Sequence, residues 1–234
     1  MPVSKQTHRI QSMFGAIAPV YDALNHVFSL NIDKIWRRFA VRSALKPTDR
    51  HILDVACGTG DLTEALRQAA SPSALVLGSD FCEPMLRRAA RKGPGPYVLG
   101  DGLHLPFPDG SFDLVTIGFG LRNMENYRDG LSEMRRVLKP GGRLAVLDFT
   151  TPRNILVRTA YLLYFQHFLP AIGRLVSGSD AYRYLSRSVL EWPDPRELAR
   201  DMKRCGFARV RHAELSFGIA VLHIAEVTQP EERG

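Results

Sequence analysis

Residues 51–60 read HILDVACGTG, and residues 61–70 continue as DLTEALRQAA. The first run is apolar and short, bounded by two glycines. The second is rich in helix formers and opens on Asp61. Together they predict a buried strand, a tight turn and a helix. Outward from that unit the pattern repeats. ALVLGSD at 74–80 is a second buried strand and EPMLRRAARK at 83–92 its helix, followed by YVLGDG at 97–102 and SFDLVTIGFG at 111–120 as strands. LSEMRRVLKPGG at 131–142 reads as a helix closed by a lysine, a proline and a double glycine, before a fifth strand, RLAVLDF, at 143–149. Apolar strands alternating with helices imply a mostly parallel sheet covered on both faces. The expected class is α/β, doubly wound.

The flanks extend this core. Residues 5–45 predict an N-terminal helical cap with apolar positions at Phe14, Ile17, Val20, Tyr21, Ile35, Trp36, Phe39 and Ala40. Residues 154–176 are rich in apolar and aromatic side chains, a membrane-touching or ligand-covering insert or else plain core, within 154–190, expected as a helical lid over the site; Arg158, His167, Arg174 and Pro170 argue against a membrane span. FARVRHAEL at 207–215 and GIAVLHIAEV at 218–227 predict two strands that extend the sheet. The whole chain, 1–234, reads as one domain with its cofactor-binding core at 51–150.

Composition bounds the class. The chain is 45% hydrophobic and 24% charged, enough for a core and incompatible with wholesale disorder. Three cysteines without a CxxC pair argue against a disulfide scaffold or a thiolate zinc site, and the histidines lack metal-ligand spacing, so no metal is expected. The start, MPVSKQTHRI, lacks a signal-peptide apolar core, so the expected location is cytoplasmic. The net charge of +7 divides into +5 over 1–50, −1 over 51–150 and +3 over 151–234. Basic flanks suit nucleic acid or an anionic membrane equally.

Gly58 and Gly60 suit either a close-approaching ligand or simply a tight strand-to-helix connection. Position 63, where a dinucleotide fingerprint wants a third small residue for helix packing, is Thr63. The early acid Asp54 suits a positively charged, phosphate-free ligand. Asp80 ends the second strand, 20 residues beyond Gly60, where an acid can accept from both ribose hydroxyls or merely cap the next helix. Asp101 and Gly102 end the third strand and can read an adenine edge, and Gly118 leaves room beyond the fourth. These strand ends, with Thr59, converge on one crevice, and the ligand they imply is S-adenosyl-L-methionine.

Further segments sharpen this. YDALN at 21–25 with Ser29 and Trp36, DVACGTGDLT at 54–63, LPFPD at 105–109, GFGLRN at 118–123, RVLKPGGRL at 136–144 and SDAYRYL at 179–185 resemble the ubiquinone/menaquinone biosynthesis C-methyltransferase family over about residues 12–225. Leu24, Asp33, Asp148, Thr150 and Gly118 depart from the family's usual Met, His, Glu, Ser and, in some members, Ser. Asp33 puts in doubt a role for that histidine. The resemblance implies a class I methyltransferase fold and methyl transfer to a ring carbon of a polyprenyl hydroquinone. Demethylmenaquinol is the principal acceptor expected, with 2-methoxy-6-polyprenyl-1,4-benzoquinol a further one. It implies Arg122, Asn123, Tyr21 and Asp148 as catalytic residues. Other readings stay open: Arg122 pairing with Glu125 at the surface, Tyr21 as a core aromatic. A polyprenyl substrate suggests contact with the cytoplasmic face of a membrane. No nucleic-acid partner is expected, because neither an NPPY nor a Pro-Cys nucleophile motif is present. A nicotinamide oxidoreductase and a non-catalytic adaptor fit the strand-end residues less well. A homodimer stays among the options.

Overall fold

The computed structural model describes residues 5–22, 26, 29–164 and 187–229. Expectations placed on Leu24, Asn25, residues 165–186 of the lid insert and the SDAYRYL segment lie outside them. The strands are β1 (His51–Val55), β2 (Leu75–Asp80), β3 (Tyr97–Leu99), β4 (Phe112–Gly118), β5 (Leu138–Phe149), β6 (Arg209–Leu215) and β7 (Ala220–Glu226). They form one sheet in the order β3-β2-β1-β4-β5-β7-β6. The first five run parallel, and β7 lies antiparallel between β5 and β6. The tail therefore extends the sheet as expected. Its final direction comes from the short 216–219 connection, which admits only a hairpin.

The helices are α1 (Lys5–Ile17), α2 (Ile32–Ala44), α3 (Asp61–Ala69), α4 (Glu83–Lys92), α5 (Tyr127–Val137), α6 (Ile155–Leu163) and α7 (Pro195–Arg204). Strand alternation sorts the core into two layers. Leu53, Val55, Val115, Ile117, Leu144 and Val146 face one side, where Leu131, Met134 and Val137 of α5 and Leu198 and Met202 of α7 cover them. Ile52, Leu114, Ala145, Leu147, Leu222 and Ile224 face the other, beneath Trp36, Ala40, Val41 and Ala44 of α2 and Leu62 and Leu66 of α3. A period of two in the strands against i, i+4, i+8 in the helices builds both layers.

Two local expectations shift. α5 ends at Val137, and Lys139 and Pro140 already belong to β5. A residue before proline is pushed out of the helical region, so the helix stops short of the glycines. On α2, Trp36 and Ala40 are buried but Ile35 and Phe39 face solvent, because the inward stripe runs through positions 33, 36, 40 and 44. Among the described residues no helix is long and apolar enough to cross a membrane.

Candidate active site

The order of strands reverses between β1 and β4, which opens a crevice at their carboxyl ends. β1 delivers Gly58 at φ +57 and Gly60 at φ +86. The two glycines answer different demands. A Cβ on Gly58 would meet nothing within 4 Å and would project into open space. A Cβ on Gly60 would stand 3.1 Å from Ala89 Cβ and 2.9 Å from the Tyr97 hydroxyl, so this glycine lets α4 and β3 close on the loop.

Asp80 organises the same loop from β2. Its two oxygens accept from the backbone N–H of Gly58 and of Cys82, each at 2.8 Å. Burial, against those hydrogen bonds, raises its carboxyl to about 6. The Gly60 N–H is committed to Cys57 O at 2.9 Å. Donors that cradle a phosphate in dinucleotide folds are thus turned inward, and the open space above Gly58 suits a phosphate-free nucleoside. Asp101 is half-exposed at the end of β3, with one oxygen accepting from Leu103 N–H at 3.0 Å. Gly102 follows it, packed on Met124 and Val55. Gly118 ends β4 beside Leu62.

Asp54 is placed otherwise than the sequence suggested. It is fully buried, and its oxygens accept from Thr63 Oγ1 at 2.7 Å and Thr116 Oγ1 at 2.8 Å. Burial raises it to about 6 against those two hydroxyls. It ties α3 to β4 beneath the crevice, one threonine hydroxyl on each oxygen.

The other end of the crevice follows β4. Phe119 adopts φ +58, which throws the chain back over the sheet into the 3-10 turn Leu121–Asn123. Arg122 Nη1 and Asn123 Nδ2 both return to the Phe119 carbonyl, at 2.7 and 3.2 Å. Arg122 also pairs with Asp148 of β5, not with the surface, and stacks over Phe149 at 5.2 Å. Burial pushes the Asp148 carboxyl above the ordinary range against the pull of Arg122. Arg122 Nε is buried and meets no acceptor among the described residues. Tyr21 packs edge-on against Phe14 and shares a cluster with Phe149. Arg122, Asn123 and Asp148 therefore gather at Phe119 and Phe149, while Tyr21 shares only the Ile17–Tyr161–Val189 cluster with Phe149.

Tyr161, and the partners that Thr59 and Asp33 take, escaped sequence reasoning. Tyr161 of α6 is buried, its phenol pushed up by burial and acted on by both Arg122 and Asp148. In the sequence it is one aromatic in an apolar run. Thr59 is buried and donates to Asp22, whose carboxylate also holds Lys92 at 2.7 Å. Lys92 in turn reaches Asp61 at 2.5 Å. The segment after α1 is thereby latched onto the glycine loop. Asp33 lies buried, accepting from Ser29 Oγ at 2.5 Å, beside His26 at 3.0 Å and paired with Arg37. Burial pushes its carboxyl up, but the Ser29 hydrogen bond and Arg37 outweigh it, and the net shift is downward. His26, Asp33 and Asp61 bring ligand-type atoms within 4.8 Å of one another, and Arg37 and Lys92 already supply the positive charge there.

The sequence matches the ubiE/COQ5 methyltransferase family over residues 1–227. The chain belongs to that family. It is 48% identical over 223 residues to the demethylmenaquinone methyltransferase of Deinococcus radiodurans, covering 93% of this chain and 92% of the relative. The Thermus thermophilus protein of the same name is 47% identical, over 92% of this chain and 99% of its own. The ubiquinone/menaquinone biosynthesis C-methyltransferase of Geobacter sulfurreducens is 42% identical, over 96% and 90%. Solved structures agree on the fold. A methyltransferase of Thermotoga maritima superposes with a TM-score of 0.66 at 19% identity, over 92% of this chain and 99% of that one. The [4+2]-cyclase SpnF superposes at 0.68 with 15% identity, over 97% and 98%, so the fold alone does not set the reaction. The methyltransferase uses S-adenosylmethionine as its methyl donor. Gly58, Asp80 and Asp101 lie at the carboxyl ends of β1, β2 and β3 on the crevice, and Thr59 stands behind the glycine loop.

Proposed function

We propose that the methyltransferase acts on a ring carbon of a reduced polyprenyl quinone, principally demethylmenaquinol, with 2-methoxy-6-polyprenyl-1,4-benzoquinol a further acceptor. The observation that carries this reading is Arg122. It is a buried guanidinium whose Nε has a hydrogen and no acceptor among the described residues, in a chain whose relatives are named for this chemistry.

S-adenosylmethionine would supply an electrophilic methyl group, its S–CH3 bond breaking to leave S-adenosylhomocysteine as the ring carbon takes the methyl and then gives up its own proton to restore aromaticity. The acceptor carbon becomes nucleophilic enough when a neighbouring phenol loses its proton. With a phenol pKa near 10, that loss costs about 4 kcal/mol at pH 7, roughly three decades in rate. Arg122 stays protonated and offsets this cost by directing its Nε–H at the developing phenolate. Asn123 lends a second polar group on the same turn. Asp148, raised by burial, holds Arg122 in place and receives the phenolic proton through a water that Arg122 orients. Tyr21 closes the site from the N-terminal side. The Phe119, Phe149 and Trp36 rings give the quinol ring an apolar wall. The polyprenyl tail draws the enzyme to the cytoplasmic face of a membrane.

The deciding assay is methyl transfer from labelled S-adenosylmethionine to short-chain demethylmenaquinol and to the benzoquinol, with wild type and Arg122→Ala side by side. Transfer to a quinol that the variant loses supports the reading. Transfer to neither, with cofactor binding intact, ends it.

A further inference from the structure

Helix α2 presents two unlike faces. Its inner stripe is accounted for by the core. Its outer face carries Lys34, Ile35, Arg38, Phe39 and Arg42, all exposed. Lys34, Arg38 and Arg42 fall at i, i+4 and i+8, and Ile35 and Phe39 form the adjacent row. The acid of this helix, Asp33, is buried on the inner side. The outer face thus offers three cations, two large apolar side chains and no carboxylate. Ile35 is 62% and Phe39 40% exposed.

The ends of this face are extended by strained backbone. Leu30, just before the helix, sits at φ +52 and is 78% exposed. The turn between β6 and β7 holds Ser216 at φ +47 and Phe217 at φ +59, with the Phe217 ring 84% exposed. Trp36 Nε1 donates to Ser216 Oγ at 2.9 Å, which pins that turn against α2. Arg211 of β6 reaches Ser43 O at 3.5 Å and adds a further cation. Large apolar side chains held out to water in unfavourable backbone conformations mark a surface shaped for something other than stability.

We propose that the outer face of α2, together with Leu30 and Phe217, docks the enzyme on an anionic phospholipid bilayer. This deepens the quinol reading and rests on it for its purpose. The charge pattern chooses the occupant. Cations interleaved with single apolar side chains suit lipid headgroups with shallow insertion. A two-fold contact with a second copy would set Lys34, Arg38 and Arg42 against like charges. Position agrees, since Trp36 on the inner face of the same helix packs on Phe119 and Phe149 beside Arg122. One helix therefore has lipid on its outer face and the wall of the acceptor site on its inner one, so a prenylated ring need travel only around its edge.

Full-length protein is sedimented with vesicles of mixed phosphatidylglycerol and phosphatidylcholine, and with phosphatidylcholine vesicles alone. Each cation is worth about fivefold in partitioning at an anionic surface, so the triple variant Lys34→Gln/Arg38→Gln/Arg42→Gln loses about a hundredfold. Added salt weakens the wild type towards the variant. Phe39→Ser/Phe217→Ser binds at least about tenfold more weakly and keeps the wild type's salt dependence, because its cations remain. Both variants methylate a short-chain, water-soluble quinol as wild type does, but lose turnover on long-chain quinol embedded in the anionic vesicles. Equal vesicle binding by wild type and the triple variant, or no binding by wild type, overturns the proposal. So does a wild-type dimer in sedimentation equilibrium that Phe39→Ser/Phe217→Ser dissociates, which would make the face a contact between copies. Failure of wild type on the short-chain quinol would instead strike the proposed reaction, and vesicle binding is read independently of it.

Discussion

The two ends of the crevice treat a buried carboxylate in opposite ways. At the glycine-loop end, Asp54 and Asp80 are held by neutral donors, two threonine hydroxyls for one and two backbone N–H groups for the other. At the β4–β5 end, Asp148 is held by a full positive charge on Arg122. The first arrangement fixes backbone: it ties helices and loop to strand ends. The second stores charge in a dry place, where in the proposed reaction it acts on an acceptor whose own charge changes. A buried acid with neutral partners titrates near neutrality, whereas one locked to arginine is useful only while the pair stays intact.

The largest test of that contrast is Arg122→Ala. Methyl transfer should fall by about three decades, and denaturant unfolding should show a loss of about 3–5 kcal/mol because Asp148 is left buried and unpaired. The double variant Arg122→Met/Asp148→Leu should recover most of the stability and none of the activity. Unchanged stability in the single variant would mean that the pair is not held as described.

Next comes the pH response of Asp54. Its folded-state pKa of about 6 lies above the ordinary Asp value of about 3.9. Its contribution to stability is therefore fully present below about pH 4 and is lost as pH rises through about 6, some 3 kcal/mol in all. Removing the titration with Asp54→Asn should flatten that part of the stability profile. Profiles that stay parallel from pH 4 to 7 would place the titration elsewhere. His223 runs the other way. Burial lowers it to about 4, so its contribution is present above about pH 6.5 and fades as pH falls through about 4. The comparison with Asp54→Asn must keep that histidine in both proteins.

The glycines separate folding from binding. Gly60→Ala adds a Cβ against Ala89 and Tyr97 at positive φ and should cost about 1–3 kcal/mol in thermal or urea unfolding. Gly58→Ala meets open space, so it should lose only about 1 kcal/mol of stability while weakening cofactor binding measurably by titration calorimetry. The reverse order of effects would mean that Gly58 does not face the cofactor.

The smallest effect belongs to the latch. Lys92→Gln removes the half-exposed cation that joins Asp22 to Asp61. It should change global stability by no more than about 1 kcal/mol, with faster proteolysis of the segment after α1 as the readout. Cleavage unchanged from wild type would show that the latch does not hold that segment.

Much of this could be read along the chain. Strand and helix alternation from His51 to Phe149 is a local signal, since period two and period 3.6 are properties of neighbouring residues. The glycine turn, the acid ending β2 and the acid that starts α3, Asp61, are local in the same sense. The segments shared with the family pointed to Arg122 and Asn123. Asp54 misled, because nothing nearby in sequence says that Thr63 and Thr116 would take both its oxygens. Ile35 and Phe39 misled as well: a helix with apolar residues on two flanks can turn either one inward.

What the sequence determined by itself was the order of elements, the doubly wound core and the residues at each strand end, because each depends on contacts within one turn or one strand. Only the tertiary structure decided which charges meet. Asp148 finds Arg122 across 26 positions, Asp22 finds Lys92 across 70, and Trp36 finds Ser216 across 180. Such pairings depend on how the sheet stacks strands distant in sequence, and burial then sets what each charge can do.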